Sequence, residues 1–103
     1  MSAVRLWLVA YDVREPKRLM RLHRQLARRA LALQYSVFLF GGDRRAREAL
    51  EREIAPLVRP EDDLRIYPLP PGTKLWLYGP GPLPEGVLWV DEALERLLRR
   101  TGQ

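Results

Sequence analysis

The sequence predicts an α+β fold, a ferredoxin-like two-layer sandwich in which two helices cover one face of a β-sheet. Two observations point to this class. Four apolar segments with aromatic and branched residues have the length of strands, and two of the intervening segments repeat apolar residues at helical spacing. The chain has 103 residues, which is enough for one hydrophobic core and too few for two.

The first predicted strand leads directly into the first predicted helix. Residues 4–11 (VRLWLVAY) are apolar on both faces beyond Arg5, which is typical of a strand that is buried on both sides. Pro16 suits the first turn of a helix, which we predict to continue to about residue 31. The buried stripe of this helix consists of Leu19, Leu22, Leu26 and Ala30.

A second strand is predicted at residues 33–40 (LQYSVFLF), where few polar residues interrupt the apolar run. Two glycines then turn the chain, and Asp43 is a suitable N-cap for a second helix. Pro56 and Pro60 end this helix, because proline cannot continue the helical hydrogen-bond pattern. Its buried stripe consists of Ala46, Leu50, Ile54 and Leu57.

Two further strands are predicted at residues 63–69 (DLRIYPL) and 74–79 (KLWLYG), with a PPG turn between them. The resulting order is strand, helix, strand, helix, strand, strand, whereas a ferredoxin-like fold has two strands between its helices. Either the strand at 33–40 breaks near Phe40 into a hairpin arm, or the later hairpin supplies the extra strand.

The C-terminal part is a stiff linker followed by an extra strand and a short helix. Residues 79–86 (GPGPLPEG) contain three prolines and three glycines, residues 87–90 (VLWV) have the pattern of a strand, and Asp91 begins the helix. We therefore divide the chain into a ferredoxin-like core at 1–78 and a C-terminal segment at 79–103. We expect this segment to pack at a dimer interface, by pairing with its own sheet or with a partner's sheet edge.

A homodimer is expected because two helices cover only one face of the sheet. The apolar residues on the other face would be exposed in a monomer, and sheet-to-sheet packing about a twofold axis would cover them. The alternative is that the C-terminal strand and helix fold back over this open face. In a dimer, a carboxylate near the axis would lie close to its symmetry mate.

Basic residues are concentrated in one segment. Residues 14–29 hold seven basic residues and one acid, a local net charge of +6, so the rest of the chain sums to −1 within the total of +5. A localised basic stripe indicates a polyanionic partner such as nucleic acid. A solvated helix face without a partner is the alternative interpretation. The candidate nucleic-acid contacts are Arg14, Lys17, Arg18, Arg21, Arg24 and Arg28.

Several classes are excluded or disfavoured by composition. The sequence contains no cysteine, which excludes disulfides and cysteine metal ligands. No apolar run reaches the roughly 18 to 20 residues of a membrane span, and the first residues (MSAVRLWLVAYD) lack the pattern of a secretory signal. We therefore expect a cytoplasmic protein without a membrane partner.

Asp12 is the candidate for chemistry, since it ends the first strand immediately before the basic segment. A carboxylate at this position could bind Mg²⁺, which prefers oxygen ligands and could activate water on a phosphodiester. It could instead close an Asx turn in the strand-to-helix loop.

Other polar and aromatic residues have simpler explanations. His23 could act as a general base, but it lies beside the apolar stripe, where a boundary residue is expected. Ser36 lies inside an apolar strand, and its hydroxyl is expected to satisfy a local backbone group. The tryptophans lie in predicted strands, so we interpret them as core or interface anchors and not as base-stacking platforms. They are Trp7, Trp76 and Trp89.

Four motifs, taken in order, resemble the CRISPR-associated protein two family, the smaller partner in spacer acquisition. YDV ends the first strand, KR opens the basic helix, LQYSVF forms the second strand and EDDLRIYPLP the third. The resemblance runs from Val4 to about Tyr78. It implies a homodimer with βαββαβ order, whose last strand packs against the sheet of the other protomer.

The resemblance also implies roles for particular residues. The family's strand-end aspartate falls on Asp12, where two copies can share one Mg²⁺, and its basic helix-start positions fall on Lys17 and Arg18. The Ser-Val-Phe segment of the family falls on residues 36–38. Leu39 stands where many relatives carry an acid, which removes a possible additional carboxylate.

Two functions follow from this resemblance. The first is a dimeric nucleic-acid-binding scaffold in CRISPR adaptation, which bridges integrase subunits during the acquisition of new spacers, with DNA and also RNA as candidate partners. The alternative is a magnesium-dependent endonuclease acting on single-stranded RNA or double-stranded DNA, with Asp12 as its catalytic and metal-binding residue. A small-molecule-sensing domain is a third class, but the sequence shows no sign of a ligand pocket.

Overall fold

The computed structural model describes residues 3–81, 83 and 85–102. A 3-10 turn at Ala55–Leu57 follows the second helix. The strands and helices are β1 (Arg5–Asp12), α1 (Pro16–Arg29), β2 (Leu31–Gln34), β3 (Val37–Gly42), α2 (Arg44–Ile54), β4 (Asp63–Leu69), β5 (Lys74–Leu77), β6 (Gly86–Trp89) and α3 (Val90–Gly102).

The main sheet has four strands in the order β2-β3-β1-β4, and every neighbouring pair is antiparallel. Its elements follow one another as β1-α1-β2-β3-α2-β4, which is the βαββαβ order of the ferredoxin-like fold. The predicted α+β class is therefore confirmed. None of the described helices has both the length and the apolar character that crossing a membrane requires.

The single strand predicted at residues 33–40 is in fact a hairpin. β2 and β3 are joined by a turn at Tyr35 and Ser36, so the extra strand arises there and not by a break near Phe40. The backbone amide of Tyr11 donates to the carbonyl of Ser36 over 3.1 Å, and the Tyr11 hydroxyl donates to the carbonyl of Tyr35 over 3.0 Å. The turn is thus stabilised by contacts with β1, which a local sequence pattern does not reveal.

Both helices of the main fold begin at a capping carboxylate. Asp43 caps α2 as predicted, since its side chain accepts a hydrogen bond from the amide of Ala46 over 2.8 Å. Glu15 caps α1 and accepts from the amides of Lys17 and Arg18 over 2.9 and 3.0 Å. Pro16 is the first residue of α1, a position where the fixed φ of proline suits the helix and its missing N–H costs no helical hydrogen bond.

Two apolar clusters fill the two sides of the sheet. The first lies between the sheet and α1 and α2, where Val9, Leu22 and Phe38 are fully or almost fully buried. The second lies on the other side, between the sheet and the C-terminal segment, where Leu6 and Leu39 pack with residues of β6 and α3. The members from the C-terminal segment are Leu88, Val90, Ala93 and Leu97.

The C-terminal segment therefore covers the face of the sheet that the two main helices leave open. β5 pairs with β6 in a separate two-stranded sheet, and α3 packs across β1 and β3. This packing is the alternative in which the C-terminal strand and helix fold back over the sheet of their own chain. Because the face is covered in this way, it gives no argument for a dimer, and the dimer remains a prediction.

Candidate nucleic-acid interface and carboxylate site

Four cations of α1 form one exposed face. Because each residue of an α-helix turns the chain by about 100°, Lys17, Arg21, Arg24 and Arg28 fall within an arc of about 60° and extend over about 16 Å. All four are exposed, as is Arg14 in the loop before the helix. None of the five has an ion pair within the described part of the chain. We call these five residues the cationic face.

Arg18 differs from the other predicted nucleic-acid contacts, because its guanidinium is engaged inside the chain. Its side chain is only 13% exposed and donates to the carboxylate of Asp62 and to the carbonyl of Leu57, the latter over 3.0 Å. Carboxylates of Glu15 and Glu61 lie 3.8 Å from it. The hydrogen bond to Asp62 raises the pKa of Arg18 above its ordinary value. Arg18 therefore lies outside the cationic face.

Asp62 is the acceptor at the centre of this network, and the sequence did not single it out. Its side chain is fully buried and also accepts from the backbone amides of Arg14 and Arg59 over 3.0 and 2.9 Å. The guanidinium of Arg18, followed by the amide of Arg14, lowers the pKa of Asp62 to about 2. Nothing in the local run Glu61-Asp62-Asp63 distinguishes the buried acid from its neighbours.

Asp12 is exposed at the end of β1, and its carboxylate has no hydrogen bond or ion pair within the described residues. It therefore does not close an Asx turn in this structure. Its register partner across the antiparallel pair is Asp63, the first residue of β4, so the two side chains project from the same face. Asp63 in turn accepts from Nε of Arg65 over 3.1 and 3.2 Å.

The carboxylate site of one chain is chemically suited to Mg²⁺ but small. Among the described residues, no group of three or more histidine, cysteine, aspartate or glutamate side chains could hold a metal ion. Mg²⁺ requires few protein ligands, because it keeps several waters and binds through one or two carboxylates. Asp12 would thus fit as one oxygen ligand of a Mg²⁺ ion, if water, a phosphate or a second chain supplied the remaining ligands.

His23 and Tyr11 hold the turn between β2 and β3, and neither side chain has a hydrogen bond to Asp12 among the described residues. Nδ1 of His23 lies 3.2 Å from the Tyr11 hydroxyl and 3.2 Å from the carbonyl of Tyr35. Burial raises the pKa of Tyr11 to about 12. His23 is therefore the half-buried boundary residue that the helix pattern indicates, and the residues that contact it on the turn were not expected from the sequence.

The three tryptophans have different environments. Trp7 is an anchor of the core, since its indole N–H donates to the carbonyl of Gly42 over 3.0 Å and the guanidinium of Arg47 lies 5.2 Å above its ring. Trp76 and Trp89 are exposed in the single chain, and Lys74 lies 4.6 Å above the ring of Trp89. Two of the three are thus available for contact with a partner.

The fold and the site together define a small ferredoxin-like protein with a cationic helix and a free carboxylate at the adjoining strand end. The family model for CRISPR associated protein Cas2 matches residues 5–74, and the chain therefore belongs to the Cas2 family. The resemblance seen in the four sequence motifs is confirmed.

Relatives cover most of the chain. CRISPR-associated endoribonuclease Cas2 1 from Nitrosomonas europaea is 45% identical over 84 residues, which are 81% of this chain and 80% of the relative. CRISPR-associated endoribonuclease Cas2 2 from Thermodesulfovibrio yellowstonii is 35% identical over 83 residues, 79% of this chain and 91% of the relative. The crystal structure of the hypothetical protein TT1823 from Thermus thermophilus superimposes with a TM-score of 0.71 at 37% identity, covering 81% of this chain and 100% of that one.

Proposed function

We propose that this protein is a nucleic-acid-binding scaffold in CRISPR adaptation, which acts as a homodimer and bridges integrase subunits while new spacers are acquired. The observation that carries the proposal is the cationic face, whose five side chains have no ion pair within the described residues. Cations left without internal partners are available to phosphates, and phosphate contacts bind DNA or RNA with little regard to sequence.

A homodimer would carry two copies of the cationic face and would offer one equivalent surface to each of two integrase subunits. In support of it, the outer edge of β4 pairs with no other strand among the described residues, so its backbone groups could pair with a strand of a second copy. Tyr67 on this strand is an exposed aromatic side chain of the kind that interfaces bury. The integrase subunits would then contact opposite ends of one particle.

A charge-reversal experiment tests the binding proposal. In the Arg21→Glu, Arg28→Glu double variant, affinity for duplex DNA should fall steeply, and the slope of log affinity against log salt should shrink by about two, because each phosphate contact contributes about 0.9. The matched control is Arg45→Glu, Arg52→Glu on α2, two exposed cations with the same spacing of seven residues and no ion pair among the described residues. Equal losses in the two double variants would show that only net charge matters and would contradict the assignment to α1.

The second candidate is a magnesium-dependent endonuclease, and the names of the two relatives support it. Asp12 of two copies would hold the ion, and the observation that favours this is that the Asp12 carboxylate has no hydrogen bond or ion pair with any described residue. The bound ion would supply an activated water and charge stabilisation at the phosphate. The protein's own part is to present Asp12 at a rigid strand end beside the phosphate-binding cations.

An Asp12→Asn variant separates the two functions, since it removes the charge and keeps the shape. If cleavage of RNA or DNA in the presence of Mg²⁺ is lost while DNA affinity and spacer integration remain, the enzyme function holds beside the scaffold. If wild-type protein and variant both integrate spacers and neither cleaves, only the scaffold remains. Asp63→Asn is the matched control, because Asp63 lies opposite Asp12 and is already engaged by Arg65.

A further inference from the structure

We propose that the groove between the β2–β3 turn and β5 binds unstacked bases of a single-stranded nucleic acid, with Tyr35 as the stacking residue. The inference rests on the proposed nucleic-acid binding. The cationic face would contact the phosphates, and the groove would provide a separate site for the bases.

The groove is unusual in its aromatic content. It has a volume of about 680 Å³. Three of its lining residues are highly exposed aromatics, Tyr35 at 62%, Trp76 at 63% and Tyr78 at 81%, and none of the lining residues among those described is charged. Exposed apolar surface gathered in one concave place indicates a binding site. Gln34, which also lines the groove, adds an amide that can hydrogen-bond to a base edge.

Tyr35 is held in position before any ligand binds. Its ring stacks on that of His23 with centroids 5.0 Å apart and an interplanar angle of 17°. The carbonyl of Tyr35 accepts from the Tyr11 hydroxyl over 3.0 Å, and Nδ1 of His23 lies 3.2 Å from the same oxygen. A fixed ring loses little entropy when a base stacks on it.

The groove and the cationic face both border α1. His23, on which Tyr35 stacks, belongs to this helix, and Arg24 of the cationic face lies one residue further along and about 100° around it. An uncharged aromatic groove beside a row of free cations matches a ligand that has flat apolar faces and a separate anionic backbone. Single-stranded nucleic acid has both, and proteins bind it through this combination. A duplex offers the cations the same phosphates, but its base faces are stacked and unavailable.

An abasic strand provides the test, because it keeps the phosphates and lacks the bases. Wild-type protein should bind a single-stranded thymidine oligonucleotide roughly tenfold more tightly than an abasic oligonucleotide of equal length. Tyr35→Leu should remove most of this difference and leave abasic binding and its salt dependence unchanged. Leu98→Ala is the control, since Leu98 is an exposed apolar residue of α3 and does not line the groove.

The outcomes separate this inference from the function on which it rests. If wild-type protein binds both strands equally, or if Tyr35→Leu keeps the preference for bases, the inference is overturned while phosphate binding stands. If neither strand binds, the proposed function fails with it. A change in molar mass with an unaltered base preference would assign the groove to contact with a second copy, which also overturns the inference. Should Tyr35→Leu lose its fold, Tyr78→Leu alters the same groove at its most exposed ring and decides the matter by the same readouts.

Discussion

The guanidinium of Arg18 and the carboxylate of Asp62 form an ion pair across 44 positions of sequence, and this pair joins the first turn of α1 to the loop before β4. The same carboxylate accepts the amide of Arg14, so the loop that follows Asp12 is held by it as well. One cation of the basic segment thus stabilises the place where the candidate carboxylate and the cationic face meet. The five residues of the cationic face have no ion pair among the described residues, whereas Arg29 pairs with Glu53 over 2.9 Å.

Replacing Asp62 by asparagine should destabilise the protein. The amide has one acceptor oxygen and no charge, so it cannot accept from two backbone amides and the guanidinium of Arg18 together, and at least one of these donors loses its partner. We expect the melting temperature, followed by circular dichroism, to fall by several degrees. Glu61→Gln is the control, because that carboxylate is exposed and lies 3.8 Å from Arg18. Equal melting temperatures for the two variants would contradict the role given to Asp62.

The same carboxylate should make stability depend on acid pH. Its pKa in the folded chain is about 2, below the value of about 3.9 for an unfolded aspartate. A lowered folded-state pKa means that the stabilisation is complete above the unfolded pKa and is lost as the pH falls towards the folded one. The difference in unfolding free energy between wild-type protein and Asp62→Asn should therefore stay constant above about pH 5 and shrink between about pH 4 and 2. Chemical denaturation across this range measures it, and a constant difference down to pH 2 would contradict it.

Local periodicity accounts for what the sequence predicted well. The strand predicted at 63–69 is β4 with the same bounds, and Asp43 caps α2 as expected, because both depend on neighbouring residues. The break in the strand at 33–40 could not be predicted, since Tyr11 satisfies the carbonyls of the turn from another part of the chain. Such a contact leaves no trace in an apolar run.

In the candidate site, too, features that depend on neighbouring residues could be predicted, and features that depend on distant contacts could not. Helical spacing alone places Lys17, Arg21, Arg24 and Arg28 on one face, as the structure has them. Spacing could also have set Arg18 apart, because it lies about 100° around the helix from Lys17. Its partner Asp62 could not have been found this way, since three acids in a row look alike until the fold buries one of them.

Tyr11 should ionise at unusually high pH. Burial raises the pKa of its phenol to about 12 from the ordinary value of 10. Because the pKa of Tyr11 is higher in the folded than in the unfolded chain, its ionisation should destabilise the protein as the pH rises. The free energy of unfolding should be unaffected below about pH 10 and should decline between about pH 10 and 12. The change in tyrosinate absorbance that Tyr11→Phe abolishes should be centred near pH 12. A lost step centred near pH 10 would show that the phenol is not buried in solution.

Leu97 tests whether α3 covers the sheet of its own chain. Its side chain is 3% exposed and packs in the second apolar cluster with Leu6 and Leu39, whereas the adjacent Leu98 is 42% exposed. Leu97→Ala should lower the free energy of unfolding by about 2 to 5 kcal/mol, because it leaves a cavity, and Leu98→Ala should change it little. Denaturant unfolding measures both variants.

The dependence of this loss on protein concentration tells which sheet α3 covers. Packing within one chain makes the effect of Leu97→Ala independent of concentration, since no subunit has to associate. If α3 covered the sheet of a second copy, the same substitution would weaken the dimer, and the unfolding midpoint would rise with protein concentration. Unfolding at two concentrations, together with the molar mass of each variant, therefore distinguishes the fold-back arrangement from an exchange of C-terminal segments between protomers. A dimer that survives Leu97→Ala with full mass and loses stability equally at both concentrations would show that its interface lies elsewhere, and the unpaired edge of β4 is then the surface to change next.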